Sequence, residues 1–177
     1  MLSQREQHYV EELARRIAKM RSFLTDQPLP ASEDATGWYK FLASLKEIQG
    51  NANNDVSFAA TMMAKEYLLA QYGVASFDAA AKAQGAPGLD IDVRLPDGRR
   101  LVAEIKTTVP YKVNDLGAQQ KAMFEKDFEK LVASRADVKL FLLTERSTYE
   151  LMREARYRGK IPGVKVVLLP EGDAIAQ

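Results

Sequence analysis

The sequence predicts an α/β protein, a mixed central sheet flanked by helices, with a helical extension over residues 1–50 and a core over residues 51–177. Three observations carry this prediction. Two N-terminal segments place apolar residues at helical spacing, with a break after each. Two segments of alternating apolar and polar residues meet at Pro96-Asp97-Gly98. Downstream, strand and helix signals alternate, which implies a partly parallel sheet covered on both faces. The whole chain is expected to form one compact domain.

The first helix is expected from Glu6 to Leu24, with Tyr9 or Val10, Leu13, Ile17, Met20 and Leu24 on one stripe. Thr25 to Pro30 breaks it. A second runs from about Gly37 to Ile48, with Trp38, Phe41, Leu42, Leu45 and Ile48 on one face, and Gly50 to Asn54 is the next break. Asp55 is expected to cap a helix that reaches about Gln71 and ends at Gly73. Val74 to Ala79 reads as a short strand, and Leu89 to Leu95 and Leu101 to Thr107 as two clear ones. A helix follows from about Ala118 to Ser134, and Val138 to Leu143 is a buried strand. Ser147 and Glu150 match a capping box opening another helix. Val164 to Leu169 is the last strand, stopped by Pro170.

Composition narrows the chemistry. With 46% hydrophobic residues among 177, the chain can bury a sizeable core. No apolar run is long enough to span a bilayer, and Met1 to Glu6 lacks the apolar core of a secretory signal. A cytoplasmic protein with no membrane partner is therefore expected. The absence of cysteine removes disulfides, thiolate nucleophiles and cysteine-ligated zinc, and the single histidine, His8, removes a histidine-rich metal cluster. Any metal must be held mainly by carboxylates, which points to magnesium, with manganese as the other candidate. A net charge of +1 argues against a strongly basic nucleic-acid binder but leaves room for local basic stripes.

The hairpin around Pro96 is the informative stretch. Ile91, Val93 and Leu95 share one face of its first strand, and Leu101, Ala103 and Ile105 one face of its second. The other face holds Asp90, Asp92 and Arg94 against Val102, Glu104 and Lys106. Pro96 suits the second position of a type I turn and Gly98 the left-handed bulge residue after it. In that loop Leu95 sits opposite Arg99, so Val93 meets Leu101, Ile91 meets Ala103, and Asp90 meets Glu104. A two-residue Asp97-Gly98 loop would instead oppose Asp90 to Ile105 and spoil both faces. Carboxylates directly opposite each other repel by a few tenths to about one kcal/mol. A divalent cation between them turns that repulsion into a ligand set. Lys106 projects from the same face, where an ammonium can stabilise a pentavalent phosphate or help deprotonate an attacking water.

Gly88-Leu89-Asp90 followed by Glu104-Ile105-Lys106-Thr107-Thr108 resembles the PD-(D/E)XK nuclease superfamily, which includes restriction endonucleases and DNA-repair nucleases. Leu89 stands where that family usually has proline, with Pro87 nearby. The resemblance covers roughly Asp55 to Leu169, and its specificity lies almost wholly in the hairpin. It implies a restriction-endonuclease-like core of helix, three strands, helix and strand, and metal-dependent hydrolysis of phosphodiester bonds, usually in DNA. Asp90 and Glu104 would be the acids and Lys106 the lysine. A magnesium-dependent endodeoxyribonuclease, plausibly of type II restriction kind, is the leading expectation. Cutting double-stranded DNA with so short a chain would call for a homodimer. Two other functions stay open: a non-catalytic nucleic-acid-binding or structural module on a nuclease fold, and a nuclease for branched, damaged or RNA substrates.

Further residues carry two readings each. Glu66 is either another metal ligand or a solvated helix-flank glutamate. Gln120 leads a stripe with Phe124, Phe128 and Leu131, and either positions a scissile phosphate or water or marks where that stripe meets solvent. Asp92 is a second ligand or a partner for Arg94 or Lys106. Thr107, Thr108, Tyr111 and Lys112 are candidate nucleic-acid contacts or ordinary loop polarity. Arg153 and Arg156, in the densest basic stretch, are phosphate contacts or part of a solvated helix face balanced by Glu145, Glu150 and Glu154.

Overall fold

The computed structural model describes residues 1–82, 86–112 and 115–175. It is an α/β structure in which helices flank a mixed five-stranded sheet of order β1-β2-β3-β4-β5. The chain divides into two compact units, Met1–Asp55 and Val56–Gln177. Among the described residues no helix is long and apolar enough to cross a membrane.

In the first unit α1 (Gln4–Asp26) opens on a complete capping box: Ser3 Oγ accepts from the Glu6 amide, and Glu6 Oε2 accepts from the Ser3 amide. Asp34 caps α2 (Ala35–Gln49) through the Gly37 amide. The two helices meet through Phe23 and Phe41, whose ring centroids are 5.0 Å apart, and Trp38 packs edge-on to Phe41. Asp55 does not cap α3 (Ala52–Tyr72) as the sequence suggested. Asn51 Oδ1 accepts from the Asn54 amide instead, one turn earlier, and this frees the Asp55 carboxylate for α1. There it accepts from Arg16 and from the Tyr9 hydroxyl.

In the second unit α3 ends where expected. Gly73 takes φ +68°, its amide donates to Leu69 O, and the Val74 amide donates to Leu68 O. That use of Val74 explains one departure from the sequence reading: 74–79 is not a strand. Its first amide closes the helix, and Asp78 then turns the chain by accepting from the Ala80 amide. Two strands, not three, therefore lie between α3 and α4 among the described residues.

The hairpin has the register the turn dictates. β1 (Ile91–Arg94) runs antiparallel to β2 (Arg100–Lys106), with Ile91 opposite Ala103 and Val93 opposite Leu101. Leu95 and Arg99 close the loop by a 2.8 Å hydrogen bond, and Gly98 sits at φ +88°, a conformation glycine adopts without penalty. After α4 (Ala118–Ala133), β3 (Val138–Leu143) returns parallel to β2, with Glu104 beside Phe141 and Lys106 beside Leu143. Next come α5 (Arg146–Arg153) and α6 (Ala155–Arg158). α5 starts after Glu145, so Ser147 lies inside the helix and the expected capping box is absent. β4 (Lys165–Leu168) is parallel to β3, and a fifth strand the sequence did not signal, β5 (Asp173–Ile175), pairs antiparallel to β4.

Alternation along the strands divides the core between two faces. Ile91, Leu101, Ala103, Leu140, Leu142 and Val167 bury against Ala64, Tyr67 and Leu68 of α3. Val102, Phe141, Leu143, Val166 and Leu168 bury against Phe124, Phe128 and Leu131 of α4 and Tyr149 and Met152 of α5. Phe141 lies at the centre of the second face, with its ring 5.5 Å from Phe124 and 5.2 Å from Phe128, both near edge-on. This cluster fixes α4 over β2 and β3. Phe141→Ala is expected to destabilise the protein by about 3–5 kcal/mol, read as a lower denaturation midpoint in urea with an unchanged slope.

Candidate functional site

β1 and β2 bring Asp90 and Glu104 together. The register extended by one residue sets them opposite each other as a non-hydrogen-bonded pair, the kind in which side chains approach most closely. The backbone ladder stops at Ile91. The next β2 amide, that of Ile105, donates 2.8 Å to Asp90 Oδ2. The Asp90 carboxylate is thereby held at the end of the sheet, where it borders a small pocket lined by Ser57, Thr61 and Thr107 on the α3 side. On the other side it faces Glu104 across the pair.

Glu104 points to the α4 face and is 2% exposed. Burial, and after it the Asp90 carboxylate, hold Glu104 far above the usual carboxylate range, at about 8. A hydrogen bond from Lys130 Nζ, 3.1 Å from Glu104 Oε1, pulls the other way without offsetting them. Burial works to lower Lys130, but its bonds to Asp127 and Glu104 outweigh this and push it up to about 12. The two shifts describe one contact from opposite sides.

Lys106 shares the face of Glu104. Its ammonium lies against Asp127 Oδ2 and 5.8 Å from the centre of the Phe124 ring. Asp127 is 5% exposed and answers two ammoniums, Lys106 on one oxygen and Lys130, at 2.8 Å, on the other. Its Oδ2 makes no hydrogen bond of good angular geometry, so the link to Lys106 is chiefly electrostatic. Sequence reasoning missed Asp127 and Lys130. The signal for the first was present: Phe124, Asp127, Phe128 and Leu131 form one buried stripe at helical spacing, and an acid inside such a stripe needs a partner.

Most of the other candidates have partners of their own. Glu66 is exposed on α3, while Ser57 and Thr61 are the α3 residues that border Asp90. Asp92, exposed, forms a two-pronged ion pair with Arg100, which holds its carboxyl below the usual range. Gln120 clamps the loop after β2: its Oε1 accepts from the Tyr111 and Gly117 amides and its Nε2 donates 2.7 Å to Val109 O. Thr107 lines the Asp90 pocket. Thr108 O accepts from the Thr148 hydroxyl, and Lys112 pairs with Asp115 through backbone bonds. Tyr111 is exposed. Arg153 pairs with Glu150, and Arg156 with Glu154 and Asp115.

Asp90 and Glu104 are hard oxygen donors of the kind that bind magnesium or manganese. Such ions are commonly held by one or two carboxylates, with water and phosphate oxygens completing the octahedron. The register fits this: Asp90 stands opposite Glu104, and a cation between them would neutralise their repulsion. Among the described residues no group of three His, Cys, Asp or Glu side chains is arranged to hold a metal. Comparison with protein-family models, curated proteins and solved structures finds no match to this chain.

Two predictions follow from this geometry. In EDTA the folded protein should hold a proton on Glu104 that the unfolded chain releases near pH 4.5, so stability should fall as pH rises from about 4.5 through about 8. Glu104→Gln should flatten that decline and be the more stable protein at pH 9, by roughly 1–2 kcal/mol, measured by thermal melts from pH 4.5 to 9. Gln120→Ala should cost about 1–2 kcal/mol and speed amide hydrogen exchange at Tyr111 and Gly117.

Proposed function

We propose that the chain is a metal-dependent nuclease of the PD-(D/E)XK type, hydrolysing phosphodiester bonds in DNA, with Asp90 and Glu104 as cation ligands and Lys106 as the catalytic ammonium. One observation carries the reading. A hairpin places a buried glutamate opposite an aspartate, with a lysine two residues on and on the same face.

When bound, a divalent ion would activate a water and offset charge developing on the phosphate. Asp90 and Glu104 would hold and orient that ion, Asp90 itself being fixed by the Ile105 amide. Lys106 would stabilise the added negative charge of the pentavalent phosphate, with Asp127 setting its direction. The layered core, with its parallel β2–β3 pair and α4 between them, supports a restriction-endonuclease-like reading; the two-strand rather than three-strand run before α4 departs from it. Double-strand cleavage would need two copies of the chain.

A specific observation favours a second reading. Asp127 and Lys130 join the cluster into a closed network of ion pairs, which would also suit a non-catalytic structural or nucleic-acid-binding module. Cleavage separates the two. Purified protein incubated with supercoiled plasmid should nick or linearise it with magnesium or manganese and not with EDTA. Asp90→Ala and Glu104→Ala should abolish this with the fold retained. Lys106→Ala should lower the single-turnover rate on the order of 100-fold, with DNA affinity at one stated salt concentration nearly unchanged. Intact plasmid under every metal condition would favour the second reading.

A further inference from the structure

Glu104 already carries a cation. Lys130 Nζ lies 3.1 Å from Glu104 Oε1 and 2.8 Å from Asp127 Oδ1, while Lys106 takes the other Asp127 oxygen. Three carboxylates, Asp90, Glu104 and Asp127, thus meet two ammoniums in the described cluster. Asp92 and Arg100, which border the same depression as Lys130, neutralise each other. With Glu104 ionised, as a cation ligand must be, three negative charges against two positive leave one negative. A divalent ion added to the pair would leave one positive, and a phosphodiester would then bring the total to zero. A divalent ion arriving alone must therefore displace or repel an ammonium that touches one of its two ligands. An ion arriving with a phosphate need not, because the phosphate gives that ammonium somewhere to go.

Lys130 is built for such a transfer. It stands on the last full turn of α4, its side chain is 42% exposed, and it borders an open depression with Leu89, Asp92 and Arg135. Its flexible stem lets the ammonium move several ångströms while Asp127, three residues earlier on the helix, remains within reach. Lys106 has no such freedom, being 15% exposed between Asp127 and the Phe124 ring.

We propose that Lys130 is an internal counter-cation that couples cation binding to phosphate binding, sitting on Glu104 in the free protein and passing to the phosphodiester when a divalent ion takes its place. This rests on the cation-site reading of Asp90 and Glu104. The test is manganese binding to the full chain, followed by electron paramagnetic resonance at one salt concentration, without DNA and then with a short duplex whose linkages resist hydrolysis but keep the phosphate charge. Wild-type protein should bind manganese weakly alone and about tenfold more tightly with the duplex. Lys130→Met should bind it about tenfold more tightly without DNA and gain little from the duplex. Lys130→Arg, which keeps the charge, should behave as wild type, and Lys130→Gln serves as a second neutral variant should the methionine protein fail to fold. Neutral variants no tighter than wild type, an arginine variant as tight as the methionine one, or a wild-type affinity indifferent to the duplex would each overturn the proposal while leaving the cation site standing. Manganese binding absent from every variant, or unaffected by Glu104→Gln, would overturn the cation-site reading and this proposal with it.

Discussion

The arrangement turns on the burial of one carboxyl group. Glu104 is enclosed between β2 and α4 with Asp90 against it, and each neighbouring feature answers that fact. The carboxyl resists ionising because water cannot reach it. Lys130 reaches in from the helix because an enclosed acid without a partner is costly. Asp127 is needed in turn to hold Lys130 and Lys106, so one buried acid draws in a network spanning a strand and a helix.

The hairpin was legible in the sequence because its determinants are local. Pro96, Asp97 and Gly98 select the loop, the loop selects the register, and the alternation of Ile91, Val93, Leu101 and Ala103 permits only one face inward. From this the pairing of Asp90 with Glu104 followed without knowledge of the rest of the fold. The long helices were legible for the same reason, since a repeat of 3.6 residues is a local property.

What was not legible depended on contacts between distant segments. Asp55 carries the right chemistry for a helix cap, but Arg16 and Tyr9, far back in the chain, claim its carboxylate. Val74 to Ala79 has strand-like composition, but its first amide is spent closing α3 and Asp78 turns the chain. The place of Gln120 on a helix face leaves its role open, because the Tyr111 and Gly117 amides and the Val109 carbonyl that engage its amide come from the segment before the helix. Asp127 and Lys130 are the converse case. Their spacing shows that they share a helix face, yet only the packing of Phe124 and Phe128 on Phe141 decides that this face covers Glu104.

β2 is paired along both edges, antiparallel to β1 and parallel to β3, and covered on both faces. A strand so placed is among the last parts of a domain to open. The acid and the lysine are therefore mounted on the least yielding element of the molecule, whereas their α4 partners sit on a helix whose outer side meets solvent. Heating should loosen the two halves of the site in sequence. The ion-pair network would relax first, while Glu104 and Lys106 keep their places until the sheet itself melts. Brief thermal stress should then leave damage that cooling repairs without refolding the core.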